Sequence, residues 1–269
     1  VSKVYSENRE KIIAQISQLQ LVFKEFNRKN SVLKQDLEPY AEKIIQYFDE
    51  QNGGFKGAPK FPQFYVFETI FYFYKKNNNK NFLKPVETLL NNISSRGIYD
   101  QLAGGIARYT VDEKWIVPHF EKMLYDNILY VCLLNQFLHK EKSDYLKSKL
   151  KQTINFINSE FLSEDNLLGS AFDADSEGVE GKYYIWKYEE LKKLLKDKFE
   201  IFQKKYEISH EGNFEGCNIL VENNNQLNNE ELIKITESKN ILLAERQKRT
   251  KPFFDNKVQT DLNCYWLYS

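Results

Sequence analysis

Glycine marks the boundaries between the segments of this chain. All eleven glycines of the 269 residues lie outside helical patterns, and they cluster at 53–57, 97–105, 169, 177–181 and 211–216. Glycine permits backbone angles and close approaches that other residues do not, so the clusters predict loops between pairs of helices. Functional side chains are often carried by loops on a rigid scaffold, so these loops are the first candidates for a site.

Apolar residues recur at helical spacing through most of the remaining chain. The pattern predicts eight helices, with Asp36 as the N-cap of the second. The predicted ranges are 5–27, 36–51, 63–77, 81–95, 119–140, 143–161, 187–206 and 228–249. Two strand-like pieces, 106–111 and 182–186, alternate imperfectly and predict small hairpins. Helix pairs without a short repeated consensus favour an all-α fold, either a solenoid or a closed α/α toroid.

Charge and cysteine content argue against several classes of protein. Lys+Arg and Asp+Glu both number 38, so the chain lacks the basic surplus typical of nucleic-acid binding. Cys132, Cys217 and Cys264 stand far apart, which argues against a disulfide framework or a zinc site and fits a reducing, cytoplasmic compartment. No stretch reaches the roughly 18 apolar residues of a membrane span. The chain begins with Val, and both ends are expected to be truncated.

Ionisable and aromatic residues are densest in GIYDQLAGGIARYTVDEKWIVPHFEKMLYDN, residues 97–127. Pro118 is expected to begin a helix that places His119, Met123 and Asp126 at i, i+4 and i+7 on one face. A histidine and a carboxylate on an otherwise apolar helix could perform acid–base chemistry, because burial and pairing tune their pKa values. The alternative is that both side chains are hydrogen-bonded and brace the loops.

The segment SAFDADSEGVEGKYYIW, residues 170–186, carries the acidic residues Asp173, Asp175 and Glu177. Their spacing matches the first half of an EF-hand loop, but Tyr184 stands where the bidentate Glu belongs, and the flanks are not a helix pair. We therefore reject an EF-hand and predict no metal. Paired carboxylates suit glycosidic bond cleavage, and the neighbouring Tyr and Trp suit stacking on sugars. A looser cation site and an acidic loop that caps helix N-termini are the alternatives.

Two further glycine-rich strings carry weaker signals. EGNFEGCNIL, residues 211–220, presents Asn213 in a glycine-bracketed turn. GGFKGAPKFP, residues 53–62, lacks the spacing and the G-K-[ST] end of a phosphate-binding loop, so nucleotide binding is not expected. No nucleophile motif of the G-x-S-x-G type is present. The sequence therefore predicts no cofactor.

Five strings in a fixed order resemble the YyaL and spermatogenesis-associated protein twenty family. They are GGFKGAPKFP, RGIYDQLAGGIARYTVDEKWIVPHFEKMLYDN, AFDADSEGVEGKYYIW, EGNFEGCNIL and ERQKRTKPFFDNKVQTDLN, and the resemblance runs from near residue 5 to about residue 263. The acidic and histidine positions that match the family pattern are His119, Glu121, Asp126, Asp173, Asp175 and Glu177. Three positions depart from it: Gln101 replaces a His, Leu262 a Trp and Cys264 a Gly.

The resemblance implies a fold and a parent protein. It implies a thioredoxin-like domain before residue 1, followed by an (α/α)6 toroid of the six-hairpin glycosidase type. Residues 1–269 would form one incomplete toroid with small β-hairpins in its loops. Such toroids resemble those of N-acylglucosamine 2-epimerases and several glycoside hydrolases, so a small polar ligand, such as a sugar, is expected by analogy.

Two hypotheses of function follow. In the first, the domain binds or processes a carbohydrate, and the candidate catalytic residues are His119, Asp126, Asp173 and Asp175. The candidate ligand-binding residues are Arg108, Tyr109, Trp115, Glu121, Glu177 and Asn213. In the second, the domain is a non-catalytic scaffold that presents the attached thioredoxin-like domain to client proteins, and the motifs brace the loops. The first hypothesis requires the candidate side chains to converge on one cleft.

Overall fold

The computed structural model describes residues 8–28 and 36–269, which divide into two units. The first unit contains the described residues up to 40, among them helix α1 (Arg9–Arg28). The helix predicted over 5–27 begins at residues 5–7, which lie outside the described residues. Helix α2 (Glu38–Ile45) begins where the Asp36 carboxylate accepts the N–H of Glu38 at 3.2 Å, in keeping with the predicted cap.

The second unit, residues 41–269, is built on two helix hairpins. Their helices are α3 (Phe64–Asn77), α4 (Lys80–Ser95), α5 (Leu124–Leu138) and α6 (Asp144–Glu160). Besides the contacts within each hairpin, α3 packs on α5 and α4 packs on α6, so the hairpins stack in two layers. Aromatic and branched side chains fill the space between them, including Phe67, Phe71 and Tyr130, which are all fully buried.

The described chain contains four further helices, of which the last was not predicted. They are α7 (Tyr188–Leu195), α8 (Phe199–Lys205), α9 (Asn229–Arg246) and α10 (Thr260–Tyr268). The helix predicted over 187–206 is interrupted by a 3-10 turn at Lys196–Lys198, because Lys196 adopts a φ of 49°. A capping box between Asn228 and Glu231 starts α9.

Seven strands of two residues each lie in the loops of the described chain. They are β1 (Tyr109–Thr110), β2 (Pro118–His119), β3 (Lys122–Met123), β4 (Ala171–Phe172), β5 (Asp175–Ser176), β6 (Val179–Glu180) and β7 (Phe254–Asp255). They form an antiparallel pair β1–β2, a three-stranded sheet β3–β4–β7 and a hairpin β5–β6.

Several sequence-based assignments were wrong. The helix predicted over 36–51 ends at Ile45, because the chain then turns and Phe48 makes a β-bridge to Phe55. The helix predicted over 119–140 begins only at Leu124, because β2 and β3 draw the preceding residues into pairing with distant strands. The strand predicted over 182–186 is a turn in which only Trp186 makes a β-bridge, to Asn218, and the hairpin lies earlier, at 175–180. The strand predicted over 106–111 is confirmed in part by β1.

The predicted all-α class with small hairpins in the loops is confirmed, because the described chain is mostly helical. Stacked helix hairpins in two layers are the packing expected for part of an α/α toroid. The extent of a single domain over residues 1–269 remains a prediction, as does the attached thioredoxin-like domain. No helix in the described ranges is long and apolar enough to cross a membrane.

Substitution of Gly97 tests how tightly the loop after α4 is packed. A Cβ atom at this position would overlap the backbone carbonyl oxygen of Ile116 and lie 2.8 Å from Cγ2 of Ile219. We expect Gly97→Ala to lower the free energy of unfolding by about 3 kcal/mol, since a backbone carbonyl cannot move aside without displacing its loop. Gly178→Ala is the control, because its Cβ would meet no atom within 4 Å and only its φ of 73° is unfavourable. Equal losses in urea unfolding would contradict this assignment.

Candidate functional site

An extended segment, residues 117–123, organises the polar residues of the longest motif. Its side chains alternate between buried and half-buried positions. Phe120 and Lys122 are buried, whereas His119 and Glu121 are half-buried. Successive side chains of an extended chain point to opposite sides. The segment therefore separates two polar clusters, which we call the His119 face (Arg108, Tyr109, His119, Glu121, Asp126 and Glu180) and the Asp100 triad (Asp100, Lys122 and Arg246).

His119 lies on β2, directly opposite Tyr109 on β1. The two rings stack with centroids 5.0 Å apart, and Tyr109 stacks in turn on Phe61 at 4.7 Å. Nδ1 of His119 lies 2.8 Å from Oε1 of Glu180, while Nε2 makes no hydrogen bond to any residue the structure describes. A carboxylate thus orients the imidazole from one side and leaves the other nitrogen available to a ligand.

Arg108, Glu121 and Asp126 form the second half of the His119 face. Nη1 of Arg108 donates to Oε2 of Glu121 at 3.1 Å, and the Arg108 N–H donates to the Glu121 carbonyl at 2.9 Å. Asp126 lies in the first turn of α5, is only 8% exposed, and has an Oδ2 atom without a hydrogen-bond partner. Burial raises the pKa of Asp126 to about 7, although Arg108 opposes the rise. A carboxyl group of this pKa can give or take a proton near neutral pH.

The acidic loop of residues 173–180 contributes unequally to this face. Asp175 stands directly opposite Glu180 in the β5–β6 hairpin, which makes it a neighbour of the residue that holds His119. Asp173 is exposed, and its Oδ1 accepts the N–H of the following Ala174. The carboxylate of Glu177 pairs with Lys182 at 2.7 Å. Of these three acidic candidates, the structure therefore places only Asp175 next to a residue that contacts His119.

Trp115 and Asn213 take part in packing and turn formation. Trp115 is fully buried, and its Nε1 donates to the carbonyl of Asn52 at 2.8 Å, so no face of the ring is exposed for the predicted ligand contact. The Asn213 amide accepts the N–H of Ile219 and donates to its carbonyl, which closes the turn that the glycines bracket. The structure places these two candidates in the scaffold.

The Asp100 triad was not predicted from the sequence. Asp100 accepts from Nζ of Lys122 at 2.8 Å and from Nη1 of Arg246 at 3.0 Å, and the three side chains are at most 6% exposed. Burial alone would raise the pKa of Asp100, but Arg246 and Lys122 hold it well below its ordinary range. Each of the three residues lies in one of the strings that resemble the family. Charged residues within these strings were the sequence signal that could have revealed the triad.

A second buried network surrounds Gln101, the position at which the family has His. Its Oε1 accepts from Nζ of Lys149 at 2.6 Å, and Lys149 also pairs with Glu222 at 2.6 Å. The Gln101 Nε2 atom donates to the backbone carbonyls of Ser94 and Arg96. Burial lowers the pKa of Lys149 to about 7, although Glu222 opposes the fall. Gln101 thus joins the end of α4 to α6.

Residues that could hold a metal ion do not gather in the described chain, where no group of three or more His, Cys, Asp or Glu side chains has a suitable arrangement. The side chains of the His119 face offer hydrogen bonding, aromatic stacking and proton exchange.

Known proteins similar to this chain include one from Caenorhabditis elegans and others from mammals. The chain is 29% identical over 252 residues to an uncharacterised C. elegans protein, covering 79% of the chain and 34% of that protein. It is 29% identical over 164 residues to human spermatogenesis-associated protein 20, covering 57% and 21%, and 28% identical to the mouse protein over the same length. The predicted family resemblance is confirmed. The chain spans about a third or less of the length of these relatives.

The chain was also compared with protein-family models and with solved structures. No protein-family model matches the chain. Among solved structures, the cellobiose 2-epimerase of Spirochaeta thermophila aligns with a TM-score of 0.43 and 16% identity, over 51% of this chain and 41% of the epimerase.

Asp126 should make stability depend on pH. Its folded pKa of about 7 exceeds the ordinary 3.8, so the unfolded chain releases this proton first and stability falls as pH rises from about 4 to 7. Between pH 5 and 8 we expect the wild type to lose about 2–3 kcal/mol relative to Asp126→Asn, which carries no such proton. Urea unfolding at each pH measures this difference. Asp144→Asn, at an exposed first-turn aspartate of α6, should run parallel to the wild type. If Asp126→Asn also runs parallel, the assignment is wrong.

Asp100 should contribute strongly to stability. Asp100→Asn would leave Lys122 and Arg246 buried without a counter-charge, and we expect a loss of about 3–5 kcal/mol in the free energy of unfolding. The control is Glu230→Gln, which breaks the exposed Glu230–Lys234 pair and should cost less than about 0.5 kcal/mol. A loss at Asp100 as small as the control's would show that the triad does not hold its three segments together.

Proposed function

We propose that this domain binds a small carbohydrate, or a similar polyhydroxylated ligand, at the His119 face and exchanges protons with it there. The observation that carries the proposal is the half-buried His119 ring, oriented by Glu180 and stacked on Tyr109. Asp126, a buried carboxyl group whose pKa is about 7, lies near Arg108, which pairs with Glu121 two residues after His119. Tyr109, His119 and Asp126 come from one motif string and Glu180 from a second. Their meeting on one face supports a ligand site more than separate loop braces.

The surface of the face suits a sugar. Phe61 is 40% exposed and continues the stack of Tyr109 and His119, which supplies aromatic area for the apolar side of a sugar ring. Arg108 and Glu121 lie on the same side and provide charged donors and acceptors for hydroxyl groups. The side chain of Arg108 is 42% exposed, so it can reach a ligand while still paired to Glu121.

Two groups on the face can serve as acid and base. Histidine is the side chain best suited to exchange protons at neutral pH, and the free Nε2 of His119 is the atom that would do so. Asp126 is the second group, with Oδ2 free of hydrogen bonds and Arg108 beside it. Epimerisation and glycosidic bond cleavage both require a proton to be removed at one point and supplied at another.

The test is isothermal titration of the protein with a panel of mono- and disaccharides. We expect His119→Asn to weaken binding at least about tenfold while changing the free energy of unfolding by less than about 1 kcal/mol, since the ring is only half-buried. His210→Asn is a matched control, because His210 also lies near a glutamate, Glu189 at 3.6 Å, but its side chain is 73% exposed and outside the face. Absence of binding by a correctly folded protein, or equal binding by His119→Asn, would contradict the proposal.

A non-catalytic scaffold is the second candidate function. It is favoured by the burial of motif side chains such as Trp115 and Lys122, which hold loops in place. In this case the domain would present the predicted thioredoxin-like domain of the parent protein to client proteins. Substitution of His119 and Asp173 by Ala separates the two functions. Losses of several kcal/mol in both variants favour the scaffold, whereas retained stability with lost ligand binding favours the site.

A further inference from the structure

The interior around the Asp100 triad holds more positive than negative charge. Lys122 and Arg246 both bind Asp100, and all three are buried. A further carboxylate that acts on Lys122 is that of Glu160, which is paired with Lys251 at 3.0 Å and adds no net charge. One surplus positive charge therefore remains inside the protein, and an unbalanced buried charge is costly.

A hydrogen-bond donor in the same place lacks an acceptor. Arg246 is 3% exposed; its Nη1 binds Asp100, but its buried Nε has no acceptor in the part of the chain that the structure describes. The Tyr184 ring lies 5.5 Å from the Arg246 guanidinium and 4.9 Å from Nζ of Lys122. The unpaired Nε of Arg246 and the surplus positive charge thus both favour a negatively charged ligand.

Two small cavities flank the triad, with volumes of about 30 and 40 Å³. Asp100, Lys122, Tyr184 and Arg246 line both of them. A single water needs about 10–15 Å³, so each cavity holds about two to four atoms of that size and excludes a sugar ring. The remaining walls of the first include Phe120, Ile219 and Leu220, which offer no donors to a multivalent oxyanion.

We infer that a monovalent halide, chloride under physiological conditions, binds beside the Asp100 triad in one of these cavities. Arg246 and Lys122 supply its counter-charge, and Nε of Arg246 and the Tyr184 hydroxyl supply donors. The halide balances the surplus charge and so fixes the loop after α4, the extended segment and the end of α9 together. This role is independent of any ligand at the His119 face.

Thermal unfolding at constant ionic strength tests the inference. Sodium gluconate, whose anion is too large for either cavity, is replaced stepwise by sodium chloride or sodium bromide. A ligand that binds only the folded state raises Tm in a saturable way, and millimolar affinity predicts a rise of about 2–4 °C. Broadening of the ³⁵Cl NMR signal by the folded protein, reversed by added bromide, gives a second readout that does not depend on stability.

Variants locate the effect. Tyr184→Phe removes one donor and should weaken the apparent halide affinity several-fold, and Arg246→Met should abolish the halide dependence if the variant folds. Arg249→Met is the matched control, because Arg249 belongs to the same motif string but pairs with Glu190 and lines neither cavity. We expect it to keep the halide response of the wild type.

Three results would overturn the inference. The first is a Tm that does not change when halide replaces gluconate, which would mean that water fills the cavities. The second is a response that does not saturate, which would indicate a general salt effect. The third is an unchanged response in Tyr184→Phe, or a response lost equally in Arg249→Met, which would place the halide elsewhere.

Discussion

The carboxylate of Asp100 is the point on which three separate parts of the chain depend. Besides Lys122 and Arg246, it accepts the N–H groups of Leu102 and Ala103, and so shapes the loop in which it lies. One buried anion thereby joins the loop after α4, the extended segment before α5 and the last residue of α9. Such an arrangement stabilises only as a whole, because removal of any partner leaves charge unbalanced in a low-dielectric interior.

The extended segment connects the Asp100 triad to residues at the surface. Since Phe120 and Lys122 are fixed inward by packing and by Asp100, alternation along the chain places His119 and Glu121 outward. Asp112 shapes the preceding turn by accepting the N–H groups of Ile116 and Val117. The orientation of the proposed proton-exchanging ring is therefore set by residues that never touch a ligand.

Local pattern was sufficient for four of the helices but not for the segment that bears the site. Helical periodicity is a property of neighbouring residues, and α3, α4, α6 and α9 begin and end within a few residues of their predicted bounds. Residues 118–123 satisfy helical spacing and strand alternation equally well. Pairing decided between them: His119 pairs with Tyr109, and Lys122 pairs with Phe172, fifty residues away in sequence. Such long-range contacts leave no mark on local periodicity.

The same limit explains which site residues were found. His119, Arg108 and Asp126 were found because unusual residue types cluster within one string, whereas Glu180 was overlooked because its partner His119 lies 61 residues away. The matched strings contain both inward and outward residues, and a match alone does not distinguish them. The structure distinguishes them by their hydrogen bonds. Trp115 and Asn213 form hydrogen bonds within the protein. Nε2 of His119 and Oδ2 of Asp126 form none with the described residues. An unsatisfied polar atom at a half-buried position is one that a ligand can complete, and Nε2 of His119 is such an atom. The buried Nε of Arg246 is unsatisfied as well, so this property distinguishes both the His119 face and the Asp100 triad from the scaffold.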